Sequence, residues 1–145
     1  MSSLEMRNKD FNAMERKILL VDDDVDLTDI YKPILEKNGY QVQVAYDSKE
    51  GFETFQNFKP DVVFVDLAME HFDSGFVLCH RIKNITTGNS VPVIIMTSAG
   101  HETGIRFSTQ TDEEKKWIKA DDYLEKPVSP RDLLQYLNEK VFKIH

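Results

Sequence analysis

Two short apolar runs that each end in acidic residues constrain the fold of this chain most strongly. Residues 17–21 run directly into the three acids at 22–24, and residues 62–65 run into Asp66. Uninterrupted apolar runs of this length are typical of strands that are buried on both faces of a parallel sheet. Ligands of such sheets bind beyond the carboxyl ends of the strands, so the sequence places a candidate site at these acids.

The acids at 22–24 suit a hard metal ion. Neighbouring carboxylates repel one another and raise one another's pKa unless a cation neutralises them. Oxygen ligands without nearby His or Cys favour Mg²⁺ and, less strongly, Ca²⁺. A solvated acidic turn that caps the next helix is the alternative, and this stretch by itself leaves both interpretations open.

Composition narrows the class of protein. The chain has 145 residues, 41% of them hydrophobic, which predicts a single domain at 16–145 preceded by a polar N-terminal extension at 1–15. A net charge of -7 argues against nonspecific DNA binding, and the single Cys79 excludes an internal disulfide. No apolar run approaches the ~20 residues of a membrane span. These features predict a cytoplasmic protein without a membrane segment.

Strand-like and helix-like patterns alternate along the chain. The strand pattern occurs five times, at 17–21, 40–45, 61–66, 91–96 and 121–125. The helical pattern follows each strand, at 25–37, 47–58, 75–85, 112–119 and 129–141. The inward face of the third helix is predicted to be Phe76, Val77, Cys79 and Ile82. This order predicts the α/β class, with a parallel sheet and right-handed crossovers.

The predicted strands deliver complementary side chains to one edge of the sheet. The first ends at Asp22 and Asp23, the third at Asp66, the fourth at Thr97 and the fifth at Lys126. Two or three carboxylates can hold one Mg²⁺, and a carboxylate beside that metal can act as a nucleophile toward a phosphoryl group. A hydroxyl and an ammonium can bind the equatorial oxygens, and phosphoryl transfer needs mainly such positioning and charge neutralisation.

From about residue 16 onward the sequence resembles the receiver domain of bacterial two-component response regulators. Four segments carry the resemblance in the order and spacing of that family: ILLVDDD at 18–24, VVFVDL at 62–67, IIMTS at 94–98 and DDYLEKP at 121–127. The resemblance implies a flavodoxin-like three-layer sandwich. Its five-stranded parallel sheet would have the order 2-1-3-4-5, with helices on both faces.

The resemblance also implies a role for the acids. Asp66 would accept a phosphoryl group from the phosphohistidine of a partner, either a sensor histidine kinase or a histidine phosphotransfer protein. Mg²⁺ would be held by Asp23 directly and by Asp22 partly through water, together with Asp66 and the backbone carbonyl of Ala68. The domain would not be an enzyme beyond self-phosphorylation from small phosphodonors and slow self-dephosphorylation.

Three further residues receive roles from the same resemblance. Lys126 would pair with the phosphoryl oxygens, and the peptide bond between Lys126 and Pro127 would be cis. Thr97 would move toward the phosphoryl group while Tyr123 turns inward, and these two residues would form the switch.

Two segments depart from the family pattern. The turn at 69–75 is one residue longer than usual and has Glu70 where the family usually has Pro, and the segment between Thr97 and Lys126 is several residues longer. Glu70 and His71 could influence kinase choice or phosphoryl lifetime, or could belong to a solvated loop. The sequence leaves both open.

Other functions compete with this interpretation. Residues 24–28 fit the D-x-D-x-T nucleophile motif of haloacid-dehalogenase-like phosphatases, which would make Asp24 the nucleophile of an enzyme. That motif begins two residues late relative to the apolar run, and no acidic pair follows Lys126 on a further strand. A receiver-like module that is never phosphorylated is a third possibility. Because the sequence ends about one helix after Lys126, we expect a stand-alone receiver. It would signal through the surface at 99–123 to an unknown protein target, without direct DNA binding.

Overall fold

A parallel sheet forms the centre of the molecule. The computed structural model describes residues 16–69, 71, 73–85, 90–98 and 120–143. Within these residues the strands are β1 (Lys17–Val21), β2 (Gln41–Ala45), β3 (Val62–Asp66), β4 (Val93–Thr97) and β5 (Asp122–Glu125). All neighbouring strands are parallel, in the order β2-β1-β3-β4-β5. The predicted α/β class, the flavodoxin-like strand order and the edge position of the second strand are therefore confirmed.

The described helices connect these strands. They are α1 (Val25–Lys37), α2 (Ser48–Phe58), α3 (Ser74–Asn84) and α4 (Pro130–Tyr136), and α4 continues into a π-helical turn at Leu137–Val141. The predicted extension at 1–15 and the predicted helix at 112–119 lie outside the described residues. No helix in the described ranges has the length and apolar content that a bilayer span requires.

Side-chain caps start three of the helices. Asp24, Asp47 and Ser129 each accept a hydrogen bond from the backbone N–H three positions later, at 3.2, 2.7 and 3.0 Å. Such caps satisfy N–H groups that have no partner within the helix. Pro130 occupies the first position of α4, where its missing N–H has no cost.

Alternation along the strands divides the core into two layers. One layer packs under α2 and α3, and its buried strand residues are Leu19, Val21, Ala45, Val63, Val65, Val93 and Ile95. The other packs under α1 and α4, and its buried strand residues are Ile18, Leu20, Val42, Val62, Phe64, Ile94 and Met96. Because successive side chains of a strand point to opposite faces, continuous apolar strands supply both layers at once.

The helix faces differ from the prediction at one position of α3. Val77 was expected to face inward and is 46% exposed, whereas Leu78 is fully buried. The buried stripe of α3 runs through Gly75, Leu78, Cys79 and Ile82 at intervals of three and four residues. Val77 stands two residues from both Gly75 and Cys79, so the helical period places it on the opposite side.

Candidate functional site

Three carboxylates meet at the carboxyl ends of β1 and β3. These strands pair with Val21 opposite Val65, so the next residues, Asp22 and Asp66, lie side by side. Asp22, Asp23 and Asp66 each offer one oxygen atom, and these atoms all lie within 4.8 Å of one another. Asp22 is 1% exposed and Asp66 is 8% exposed, while Asp23 is open to solvent.

Lys126 crosses the edge of the sheet to reach two of these acids. Its Nζ lies 2.9 Å from Oδ2 of Asp22 and 3.2 Å from Oδ1 of Asp66. Its backbone N–H donates to the carbonyl of Thr97 at 2.8 Å, so β4 supports the residue from which this side chain extends. The peptide bond between Lys126 and Pro127 is cis.

Asp24 lies outside this arrangement. Its Oδ1 accepts the N–H of Leu27, as the cap of α1, and its own N–H donates to Oδ1 of Asp22 at 2.9 Å. Among the described residues, the cluster of carboxylates contains Asp22, Asp23 and Asp66 but not Asp24. Asp24 therefore supports Asp22 and begins a helix, which does not favour the phosphatase alternative in which Asp24 is the nucleophile.

Burial and mutual repulsion set the charge of the site. Burial, followed by the charge of Asp22, raises the pKa of Asp66 to about 7, although Lys126 opposes this rise. Burial and Asp22 also raise the pKa of Asp23. Burial lowers the pKa of Lys126, but its contacts with Asp22 and Asp66 outweigh that effect and leave its pKa above the usual 10.5. The lysine therefore stays charged at neutral pH.

The donor set fits a magnesium ion. Within the part of the chain that the structure describes, one ammonium faces three carboxylates, so these groups carry excess negative charge when all three acids are ionised. The candidate ligands are all oxygen atoms, two of them on buried residues and one accessible from solvent. A hard divalent cation that keeps several water ligands matches such a solvent-accessible cluster of oxygen ligands.

The remaining predicted site residues lie around this centre. Thr97 ends β4 and is 4% exposed, one position beyond Met96, which pairs with Asp66. Tyr123 lies in β5 opposite Ile95 and packs against the layer under α2 and α3, and burial raises its pKa to about 12. Ala68 is partly buried two residues after Asp66. The structure places Thr97 at the carboxyl end of β4 and Tyr123 two positions earlier in the register of β4 and β5, while the roles of these residues remain predictions.

Gly75 is a site residue whose role the sequence reasoning missed. Its N–H donates to the carbonyl of Leu67 at 2.7 Å. A Cβ atom at this position would lie 2.6 Å from the carbonyl oxygen of Asp66 and 2.7 Å from Cα of Leu67. Only a residue without a side chain permits this approach to the backbone of Asp66. A glycine at the start of a helix, soon after a strand-end acid, was the available signal.

The lengthened turn after β3 is tied together locally. Ser74 is 3% exposed, accepts the N–H of His71 at 2.9 Å and donates to the carbonyl of His71 at 3.0 Å. His71 is exposed. Glu70 lies outside the described residues, so the predicted influence of Glu70 and His71 on phosphoryl lifetime stays open.

Comparison with known families places this geometry in context. Residues 18–138 match the model of the response regulator receiver domain. A probable transcriptional regulator, ycf27, of Guillardia theta is 31% identical over 142 residues, which is 90% of this chain and 50% of that protein. The chain therefore spans about half the length of that curated relative. An uncharacterized 14.6 kDa protein of Leptolyngbya boryana is 31% identical over 122 residues, or 84% of this chain and 87% of that protein.

Solved structures agree with the observed strand order. The chemotaxis response regulator CheY4 of Vibrio cholerae has a TM-score of 0.72 and 26% identity, covering 86% of this chain and 97% of that one. A CheY-like receiver domain protein of Methanospirillum hungatei has a TM-score of 0.69 and 27% identity, covering 88% of this chain and 94% of that one.

Proposed function

We propose that Asp66 is the phosphoacceptor of this chain, which belongs to the response regulator receiver domain family and acts in phosphorelay signalling. The observation that carries this assignment is the contact of Asp66 with Lys126 within the cluster of three carboxylates. Asp66 ends a buried central strand, so its carboxyl group is held in place by the sheet on either side.

The transfer forms one bond and breaks another. A carboxylate oxygen of Asp66 attacks the phosphorus of a phosphohistidine on a histidine kinase or a histidine phosphotransfer protein. The P–N bond breaks as the P–O bond forms, and the histidine nitrogen leaves with the electron pair and takes up a proton. Because the nucleophile must be ionised, the raised pKa of Asp66 means that added positive charge at the site favours the reaction.

Lys126 and Thr97 are the residues that meet the phosphoryl oxygens. Lys126 already bridges two carboxylates, so its ammonium can follow the charge from Asp66 to the transferred group. Asp22, Asp23, Asp66 and the carbonyl of Ala68 would hold Mg²⁺, which supplies the charge that neutralises the carboxylates and the incoming phosphoryl oxygens. The same site would accept phosphoryl groups from small donors and lose them slowly to water.

Signalling follows from a change at the switch residues. A hydroxyl movement of Thr97 toward the phosphoryl group would free space beside β4, which Tyr123 on the neighbouring strand would enter. This movement would change the surface at 99–123 and thereby alter the affinity for a protein target rather than for DNA. A cytoplasmic location, predicted from the single cysteine and the lack of a long apolar run, is part of this proposal.

Incubation with acetyl phosphate and Mg²⁺ tests the assignment. Mass spectrometry of the intact protein and its peptides is expected to find one added phosphoryl group, on Asp66. Asp66→Asn should abolish the addition, whereas Asp24→Asn, the matched change at the helix cap, should retain it. Modification of another residue, or hydrolysis of a small phosphomonoester that requires Asp24, would overturn the proposal.

A further inference from the structure

The hydroxyl of Tyr31 joins α1 to the loop that carries Lys126. Tyr31 is 1% exposed, and its hydroxyl donates a hydrogen bond to the backbone carbonyl of Val128. Val128 lies two residues after Lys126, and the φ angle of the intervening Pro127 is restricted by its ring. The carbonyl that Tyr31 holds is therefore connected to Lys126 by a short and stiff stretch of backbone.

The other side of Lys126 is held by β4. The N–H of Lys126 donates to the carbonyl of Thr97 at 2.8 Å. Two anchors thus set the direction in which the lysine side chain leaves the loop. A displacement of this loop by about 1 Å would lengthen the contacts of Nζ, now 2.9 and 3.2 Å, beyond hydrogen-bond distance.

The phenol is a donor throughout the working pH range. Burial raises the pKa of Tyr31 above its ordinary value of 10, with Lys126 opposing and Asp22 adding to the rise. The ring packs in the layer under α1 and α4, where Leu35 fills the same helix face with hydrocarbon. Filling this layer therefore requires the bulk of a large side chain, whereas the hydroxyl serves the Val128 carbonyl.

We propose that Tyr31 is a positioning residue for phosphoryl transfer: its hydroxyl holds the Val128 carbonyl and thereby keeps the Lys126 ammonium between Asp22 and Asp66. The inference rests on the proposed function of Asp66 and Lys126. Tyr31 acts through Lys126 and does not touch the reacting atoms.

Tyr40 provides a matched control. It is 7% exposed, belongs to the same apolar layer, and donates its hydroxyl to Oδ1 of Asn138 at 3.4 Å. It precedes β2 at the opposite edge of the sheet from Lys126. Tyr40→Phe therefore removes the same atom from the same layer without affecting the loop after β5.

The experiment compares Tyr31→Phe with Tyr40→Phe in the acetyl phosphate assay. Tyr31→Phe is expected to slow phosphorylation of Asp66 by about 5- to 20-fold, while Tyr40→Phe leaves the rate unchanged. In a Lys126→Met background, followed over longer incubation, Tyr31→Phe should cause no further loss, because its effect passes through the lysine. Calorimetry should show that Tyr31→Phe does not weaken Mg²⁺ binding. Lys126 and the metal would compete for the same carboxylates, so a displaced lysine removes none of the metal's ligands.

The possible results separate the two proposals. A wild-type chain that gains no phosphoryl group refutes the function proposed for Asp66. A reactive wild type refutes the role of Tyr31 if Tyr31→Phe reacts as fast, if Tyr40→Phe is slowed equally, or if the loss persists without Lys126. A parallel loss of Mg²⁺ affinity would also indicate a merely structural role. Should Tyr31→Phe fail to fold, 4-fluorophenylalanine at position 31 is the second variant, because it keeps nearly the volume of tyrosine and lacks the hydroxyl donor.

Discussion

Two largely buried lysines lie at opposite ends of the parallel strands, and their similar contacts have different roles. The amino-terminal edge is the one at the starts of the strands, and the carboxyl-terminal edge is the one at their ends. At the amino-terminal edge, Nζ of Lys83 lies 2.6 Å from Oδ2 of Asp121 and donates to the carbonyl of Val91 at 2.6 Å. The same Asp121 oxygen accepts the N–H of Val93 at 2.7 Å. At the carboxyl-terminal edge, Lys126 contacts both Asp22 and Asp66.

The difference between the two edges is their charge balance. Lys83 pairs with Asp121, and the pair ties the end of α3 to the starts of β4 and β5. Among the described residues, Lys126 contacts two carboxylates with a third beside them, so this cluster holds more acidic than basic side chains. A lysine paired with a carboxylate does not call for a ligand, whereas we expect the acid-rich cluster to gain free energy when a divalent cation binds. The proposed phosphoryl-transfer site therefore coincides with the acid-rich cluster of the described residues.

Removing each lysine in turn gives the largest contrast. Lys126→Met is expected to slow phosphorylation by acetyl phosphate by about 100- to 1000-fold, because an ammonium aimed at the phosphoryl oxygens is lost. Lys83→Met should leave that rate unchanged. Equal slowing in both variants would show that the two edges do not differ in function.

The raised pKa of Asp66 makes stability depend on pH in a defined direction. In the unfolded chain the pKa of Asp66 is at its ordinary value of 3.8, whereas in the folded chain it is raised to about 7. The free energy of unfolding is therefore highest below the unfolded pKa of Asp66 and falls as pH rises toward its folded pKa. Above the folded pKa the loss is complete and no longer changes with pH.

Asp66→Asn, measured by urea unfolding without Mg²⁺, should remove this dependence. Lys126 keeps Asp22 as a partner, so no charge is orphaned. We expect the variant to match the wild type near pH 4 and to exceed it by about 2–3 kcal/mol near pH 8, after allowance for solvent screening. Parallel curves across this range would contradict the assigned cause.

The balanced pair should matter for stability instead. Lys83→Met is expected to lower the free energy of unfolding by about 1–2 kcal/mol, because Val91 loses a donor and Asp121 loses its cation. The loss is limited because the Asp121 side chain is 45% exposed and can be hydrated. Urea titration at neutral pH measures the effect, and an unchanged midpoint would remove the structural role of this pair.

Magnesium should distinguish the edges with the smallest effect. At about five times its Kd, Mg²⁺ is expected to add about 1 kcal/mol to stability, seen as a rise in Tm. Asp23→Asn should reduce this rise, since it removes the most accessible of the three carboxylates. Lys83→Met should show the same rise as the wild type. A rise that survives Asp23→Asn would place the ion elsewhere.

Much of the fold could be predicted because its signals are local. The apolar runs predicted the strands, their alternation with helical periodicity predicted the parallel sheet, and Asp47 and Ser129 marked the starts of helices. The prediction that Val77 faces inward was wrong, because composition does not distinguish an apolar side chain beside the buried stripe from those within it. The strand order came from family resemblance, since pairing between distant strands leaves little local trace.

The sequence by itself determined which residues could form the site, because each chemically useful side chain follows an apolar strand. The tertiary structure decided which of them lie together. Sheet pairing set Asp22 beside Asp66, and the path of the loop after β5 brought Lys126 to both. The approach of Gly75 to Asp66 and the bond from Tyr31 to Val128 likewise join residues that no sequence period connects. Such contacts depend on packing between elements far apart in the chain, and packing is what a linear pattern does not encode.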